Sequence, residues 1–224
     1  MRFSAVLFDL DGVLADSEAM WNGIDGAMLA DYGVTYSGEH KAQVLGKSFP
    51  IALQFYKDTF NVRAEIEEMS LRRSDIALDF YANRIPMFDS APKVLSDLRD
   101  LDLRLSLATS SISALVLPFL ERHDLTKYFD ALTTGEEVEY GKPHPDIYLK
   151  AAAKVGIEPA RCLVVEDALA GVQSGKSAGM TVVAIPDARW VDPALFPGRA
   201  DAVIDNLDGL LPWLHAQNES AKSE

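Results

Sequence analysis

Short apolar runs alternate with stretches of helical periodicity from Pro86 to His215, and no other feature limits the possible folds so strongly. Strands are predicted near 103–108, 131–133, 162–165, 181–185 and 202–204, with helices near 92–101, 113–123, 146–155, 169–178 and 207–215 around them. Strands joined through helices pair in parallel, and a parallel sheet needs helices over both faces. The apolar run Ala5-Val6-Leu7-Phe8 must join the same sheet, because a lone strand can neither bury itself nor pair its backbone groups. Residues from about Ser17 to Ile85 offer no convincing strand and read as several helices, with breaks near Gly33, Ser37-Gly38 and Gly46 to Pro50. Asp31, Asp75 and Asp79 stand among apolar positions at helical spacing there, as in amphipathic helices packed on one another. The fold class is therefore α/β, with a helical block inserted between the first strand and the rest. Gln217 to Glu224 is polar and expected to fray.

The chain has 224 residues, enough for a core domain carrying a smaller insertion, and 48% hydrophobic with 25% charged residues is globular composition. Its formal charge of −13, from 21 Lys+Arg against 34 Asp+Glu, argues against nucleic acid or an anionic membrane as partner. A small phosphorylated substrate is not excluded, because local cations set the potential of a pocket. Cys162 is the single cysteine, so a disulfide within the chain and a zinc site of several thiolates are both excluded. With no run apolar enough to span a bilayer and no cleavage signature after Arg2, a cytoplasmic location is expected.

Polar clusters follow several of the strands. Phe8-Asp9-Leu10-Asp11-Gly12 closes the first with two carboxylates, and Gly12 reads as the turn that ends it. Acids at the carboxyl edge of a parallel sheet stand where such sheets bind ligands, so one carboxylate can hold a divalent cation while the other moves a proton. Leu107-Ala108-Thr109-Ser110-Ser111 supplies hydroxyls and backbone N–H groups at a helix N-terminus, a cradle for phosphate. Gly141-Lys142-Pro143-His144-Pro145 fixes one lysine in a loop stiffened by two prolines, suited to neutralising a transferring phosphoryl group. Val164-Val165-Glu166-Asp167 brings a second acid pair that can complete the oxygen shell of a magnesium ion begun by Asp9. Each cluster alone also suits an ordinary turn, cap or solvated loop. Together, in this order, they are the parts of a phosphoryl-transfer site. The Gly-Lys-Ser at 175–177 is not a phosphate loop, since Ala170 stands where that motif needs glycine.

The set Asp9-Leu10-Asp11-Gly12, Thr109, Lys142 and Glu166-Asp167 resembles the four motifs of the haloacid dehalogenase superfamily, over essentially the whole chain. The strings Gly141 to Pro145 and Glu166 to Gly171 are similar to its sugar-phosphate phosphatase and β-phosphoglucomutase branch. The resemblance implies a Rossmann-like core at 1–15 and 86–216, a helical cap at 16–85 and a tail at 217–224. It implies Asp9 as nucleophile, and Asp11 as the acid that protonates the leaving alcohol and then the base that activates water. It implies magnesium on Asp9, the backbone carbonyl of Asp11 and Asp167, with Glu166 as a further or outer ligand. Thr109, the Ser110 amide and Lys142 would hold the phosphoryl oxygens. The cap would close on substrate about hinges near Leu14 to Ser17 and Ile85 to Phe88.

Asp11 favours phosphoester chemistry over dehalogenation, which needs no acid for a halide. A phosphonatase would need a cap lysine, for which Lys41, Lys47 and Lys57 are available. β-Phosphoglucomutases typically carry histidine where Trp21 stands and arginine where Phe49 stands, so an anion clamp for a second phosphate is missing. Trp21 after Asp16-Ser17-Glu18 is similar instead to the pattern of bacterial hexose- and hexitol-phosphate phosphatases, where an indole offers an apolar face to a sugar ring. Lys47 and Ser48 fall where this branch carries a substrate-facing loop, and Arg72 and Arg73 are further cap candidates. The expectation is a magnesium-dependent phosphatase, monomeric, acting on a small sugar or polyol phosphate. A phosphosugar mutase and a non-catalytic binding protein are the alternatives.

Overall fold

The structure is a computed structural model and describes residues 2–37 and 49–220. The chain divides into two compact units, Ser17–Ile85 on one side and Met1–Asp16 with Pro86–Glu224 on the other.

In the helical unit, α1 (Glu18–Asp31), α2 (Phe49–Phe60) and α3 (Ile66–Asn83) pack through Ile24, Met28, Leu29, Leu53, Tyr56, Met69, Ile76 and Tyr81, all buried. Asn61, in the left-handed region at φ 52°, ends α2 at a break the periodicity did not reveal. An ion-paired network stitches the three helices. Arg73 Nε bonds Asp25 Oδ1 at 2.6 Å, and Tyr56 OH donates to Asp25 Oδ2 at 3.0 Å. Tyr36 OH meets Tyr56 OH at 3.1 Å. Lys41, Lys47 and Ser48 lie outside the described residues.

The second unit holds a six-stranded sheet of β1 (Ala5–Phe8), β2 (Arg104–Ala108), β3 (Ala131–Thr133), β4 (Cys162–Glu166), β5 (Thr181–Ala184) and β6 (Ala202–Val203). The order is β3-β2-β1-β4-β5-β6, parallel throughout. Its helices are α4 (Ala91–Asp100), α5 (Ser113–Arg122), α6 (Asp146–Val155), α7 (Leu169–Ser177) and α8 (Leu210–Ser220). Strands buried on both faces read as unbroken apolar runs, which is why β1 and β4 show no alternation. Ala5 and Leu7 of β1, Val164 of β4 and Val182 of β5 pack with Ile147, Tyr148 and Ala151 of α6 and Val172 of α7. The register sets Phe8 level with Leu107 on β2 and Val165 on β4, so the chain leaves these three strands along one edge.

Two differences from the sequence expectation have identifiable physical causes. Leu207–Gly209 forms a 3-10 turn, so α8 begins at Leu210, and it runs to Ser220 through part of the segment read as a tail. The N-terminus recruits that segment. Asn218 Oδ1 accepts from the Arg2 N–H at 3.0 Å, Gln217 Oε1 from the Arg2 guanidinium at 2.9 Å, and Trp213 stacks on Phe3. The stretches expected as hinges are partly tied together within the sheet unit. Asp16 N–H donates to Pro86 O at 2.9 Å and Phe88 N–H to Leu14 O at 3.0 Å, with an antiparallel bridge between Ala15 and Met87.

Candidate active site

Asp9 is the first residue past β1, its N–H donating to Val165 O at 3.0 Å, which fixes it beside Glu166 at the end of β4. Lys142 joins the two acids. Its Nζ lies 2.8 Å from Asp9 Oδ1 and 2.6 Å from Glu166 Oε1, with the lysine side chain 8% exposed. The 141–145 loop is held in place from α7, where Ser174 Oγ donates to His144 O at 2.6 Å. The buried side chain of Thr109 follows β2, and its Oγ1 accepts from the Ser111 N–H at 3.1 Å, leaving the hydroxyl proton available to an anion. Ser110 beside it is exposed.

Asp9, Glu166 and Asp167 offer carboxylate oxygens that all lie within 4.8 Å of one another. Two glycines make the close approach of backbone and acid possible. A Cβ on Gly12, which has φ +76°, would lie 2.0 Å from Asp167 Oδ2, and one on Gly171 would lie 1.8 Å from Glu166 Oε1. The Asp11 carboxylate is not part of the trio, and its Oδ2 accepts from Ser111 Oγ at 2.7 Å. Trp21 belongs to the helical unit, where Arg73 lies 4.5 Å over its ring and Tyr81 packs beside it. Arg72 is spent on Asp31.

Burial pushes the Asp9 carboxyl up to about 7, reinforced by the charges of Glu166 and Asp11 and only partly offset by Lys142. For Lys142 burial works downward, but the Asp9 and Glu166 carboxylates outweigh it and hold the ammonium above its ordinary range. The pocket thus carries more negative charge than one lysine balances. Asp9 Oδ1 is buried with no hydrogen-bond partner, its approach to Lys142 being an ion pair without hydrogen-bond geometry. An oxygen-only donor set with an unfilled buried acceptor and excess negative charge fits a hard divalent cation such as magnesium.

Sequence reasoning missed three groups. Tyr148 OH donates to Glu166 Oε1 at 2.5 Å, and its ring lies 5.1 Å from Lys142 Nζ. The available signal was a phenol on the apolar face of the 146–155 helix, a polar tip that needs a buried partner. Ser111 stood in the hydroxyl turn without a role. Arg189 bonds both Asp187 and Asp16, tying the loop after β5 to the segment between β1 and α1, a link that spacing does not reveal.

The protein family profile described as haloacid dehalogenase-like hydrolase matches residues 6–185. Hexitol phosphatase B of Escherichia coli K12 is 29% identical over 187 residues, 81% of this chain and 83% of that protein. A probable pseudouridine-5'-phosphatase of Drosophila melanogaster is 33% identical over 189 residues, 82% of this chain and 81% of its own. A β-phosphoglucomutase-like crystal structure from Thermotoga maritima superposes with a TM-score of 0.83 at 26% identity, covering 96% of this chain and 99% of that one.

Proposed function

The chain belongs to the haloacid dehalogenase-like hydrolase family, and we propose that it is a magnesium-dependent phosphatase that cleaves a small sugar or polyol phosphate through an aspartyl-phosphate on Asp9. The observation that carries this reading is the buried Asp9, ion-paired to Lys142 and within 4.8 Å of Glu166 and Asp167 at the carboxyl edge of the sheet. Relatives named as hexitol and phosphorylated-carbohydrate phosphatases support the substrate class.

In this reading the Asp9 carboxylate attacks phosphorus while the bond from phosphorus to the leaving oxygen breaks, and Asp11 gives its proton to the departing alcohol. Asp11 then takes a proton from water, whose oxygen attacks the aspartyl-phosphate and frees Asp9 and inorganic phosphate. Ser111 holds the Asp11 side chain by its 2.7 Å hydrogen bond. Lys142, the Thr109 hydroxyl and the Ser110 amide take the phosphoryl oxygens, so developing charge meets donors already in place. Asp9, Asp167 and the Asp11 carbonyl, with Glu166 nearby, would hold magnesium, which supplies Lewis acidity and charge neutralisation when bound. Trp21, whose indole plane Arg73 and Tyr81 fix within the helical unit, is the residue proposed to read the sugar, together with Lys47 and Ser48. The single buried thiol of Cys162 suits a reducing cytoplasm, in which the protein works as a monomer. Among the described residues no helix is long and apolar enough to cross a membrane.

The test is phosphate release with magnesium across hexose, deoxyhexose, hexitol, pentose, glycerol and glycolate phosphates. Asp9→Asn runs alongside, and β-glucose 1-phosphate is assayed for isomerisation with a bisphosphate activator. Steady release that vanishes in the variant and on chelation is expected, with a hexose or hexitol phosphate at the head of the ranking. Isomerisation without net release would make the protein a mutase, and equal traces for wild type and variant would leave only a binding role.

A further inference from the structure

Glu166 meets four donor groups, and these partners decide what it is free to do. It is fully buried. Oε1 meets Lys142 Nζ at 2.6 Å and accepts from Tyr148 OH at 2.5 Å. Oε2 accepts the backbone N–H groups of Asp167 at 3.2 Å and Ala168 at 3.3 Å. An ionised carboxylate offers about four lone-pair sites; three here accept hydrogen bonds, and the Lys142 ammonium is ion-paired against Oε1. Nor is there space to turn toward α7, where a single added carbon on Gly171 would already lie 1.8 Å from Oε1.

We propose that Tyr148 is a positioning residue, whose hydroxyl commits Glu166 to gripping Lys142 beside Asp9 and keeps that carboxylate out of the cation's ligand shell. The sequence around it is arranged for this task. Ala151 and Ala152 share the buried face of α6 with Tyr148, and such small side chains let the helix lie close to the sheet, so the phenol reaches the end of β4. A phenylalanine would fill the same volume, so the hydroxyl is needed for its donor and not for packing. The ring adds a second hold, lying 5.1 Å from the Lys142 ammonium. Without the hydroxyl, one lone pair of Glu166 is released toward the cation, and the lysine loses the fixed anion that aims it.

This inference rests on the phosphatase reading for its kinetic arm only, since its second arm reads magnesium binding by calorimetry without substrate. Tyr148→Phe should lower kcat by roughly 10- to 100-fold with KM little changed, the scale on which outer partners of a metal site act. It should also bind magnesium more tightly, by about three- to tenfold, the equivalent of one net hydrogen bond. Glu166→Gln and Asp167→Asn each remove one charge, so the difference between them isolates coordination. Asp167→Asn should weaken magnesium binding by about tenfold more than Glu166→Gln does. Equal weakening, or a larger loss in Glu166→Gln, would overturn the proposal, as would a Tyr148→Phe protein with wild-type kcat and magnesium affinity. Absence of phosphate release from the wild type would sink the phosphatase reading alone, with the calorimetry still deciding the role of Tyr148.

Discussion

Asp9 is 8% exposed and shares its pocket with the charges of Glu166 and Asp11, so ionising it costs free energy that Lys142 alone does not return. The folded protein keeps the Asp9 proton up to about 7, whereas the ordinary value for the group is 3.8. Between these limits the unfolded state binds fewer protons than the folded one, so this group's contribution to stability falls as pH rises through the window and is gone above about 7. In metal-free protein the melting temperature of the wild type should therefore fall relative to Asp9→Asn as pH rises from about 4 to about 7, then level off. Magnesium should raise the wild-type midpoint more at about pH 8 than at about pH 5, because the cation competes with the proton. A melting difference independent of pH in that interval would show that Asp9 ionises at its ordinary value. The acids and Thr109 of this pocket were legible in the sequence because they directly follow predicted strands, and Lys142 because prolines stiffen its loop. Tyr148 and Ser111 were not assigned, because their partners Glu166 and Asp11 stand far along the chain and only the folded sheet brings them together.

At the level of elements, the helices of Ser17–Ile85 owe their arrangement to a polar hub as well as to apolar packing. Asp25 on α1 takes Arg73 of α3 and Tyr56 of α2, with Asp25 and Arg73 side chains 13% and 17% exposed. Removing one partner leaves the other charge and a phenol inside the unit. Asp25→Ala should lower stability by about 3 kcal/mol in urea titration, and a double variant with Arg73→Ala should recover part of that loss. A double variant as unstable as the sum of the two single ones would show that the pair is not coupled. Periodicity located these helices, but not the break after Phe60 or the 3-10 turn at Leu207–Gly209. Both depend on a local backbone conformation that an apolar pattern does not encode, the left-handed Asn61 in the first case. The extension of α8 was hidden for another reason. Its polar end is stabilised by Arg2 and Phe3 at the opposite terminus, so it looked like tail.

The whole molecule turns on where β1 lies. The order β3-β2-β1-β4-β5-β6 puts the first strand between β2 and β4, so an acid pair near the N-terminus meets a hydroxyl turn and a second acid pair that follow it much later. Open parallel sheets of this order bind ligands where the strand order reverses, at the carboxyl ends of the central strands, and that is where Asp9 stands. Alternating strands and helices made the parallel sheet legible in the sequence. The lateral order was not, since many orders satisfy the same alternation. With the strands so placed, Asp9 is the group on which the proposed chemistry depends. The most direct test is a single turnover with a hexitol phosphate labelled in its phosphoryl group, quenched in acid and mapped by peptide. Label is expected on the peptide carrying Asp9 in the wild type, with neither label nor free phosphate from Asp9→Asn. Label on any other residue, or hydrolysis by Asp9→Asn at the wild-type rate, would contradict it.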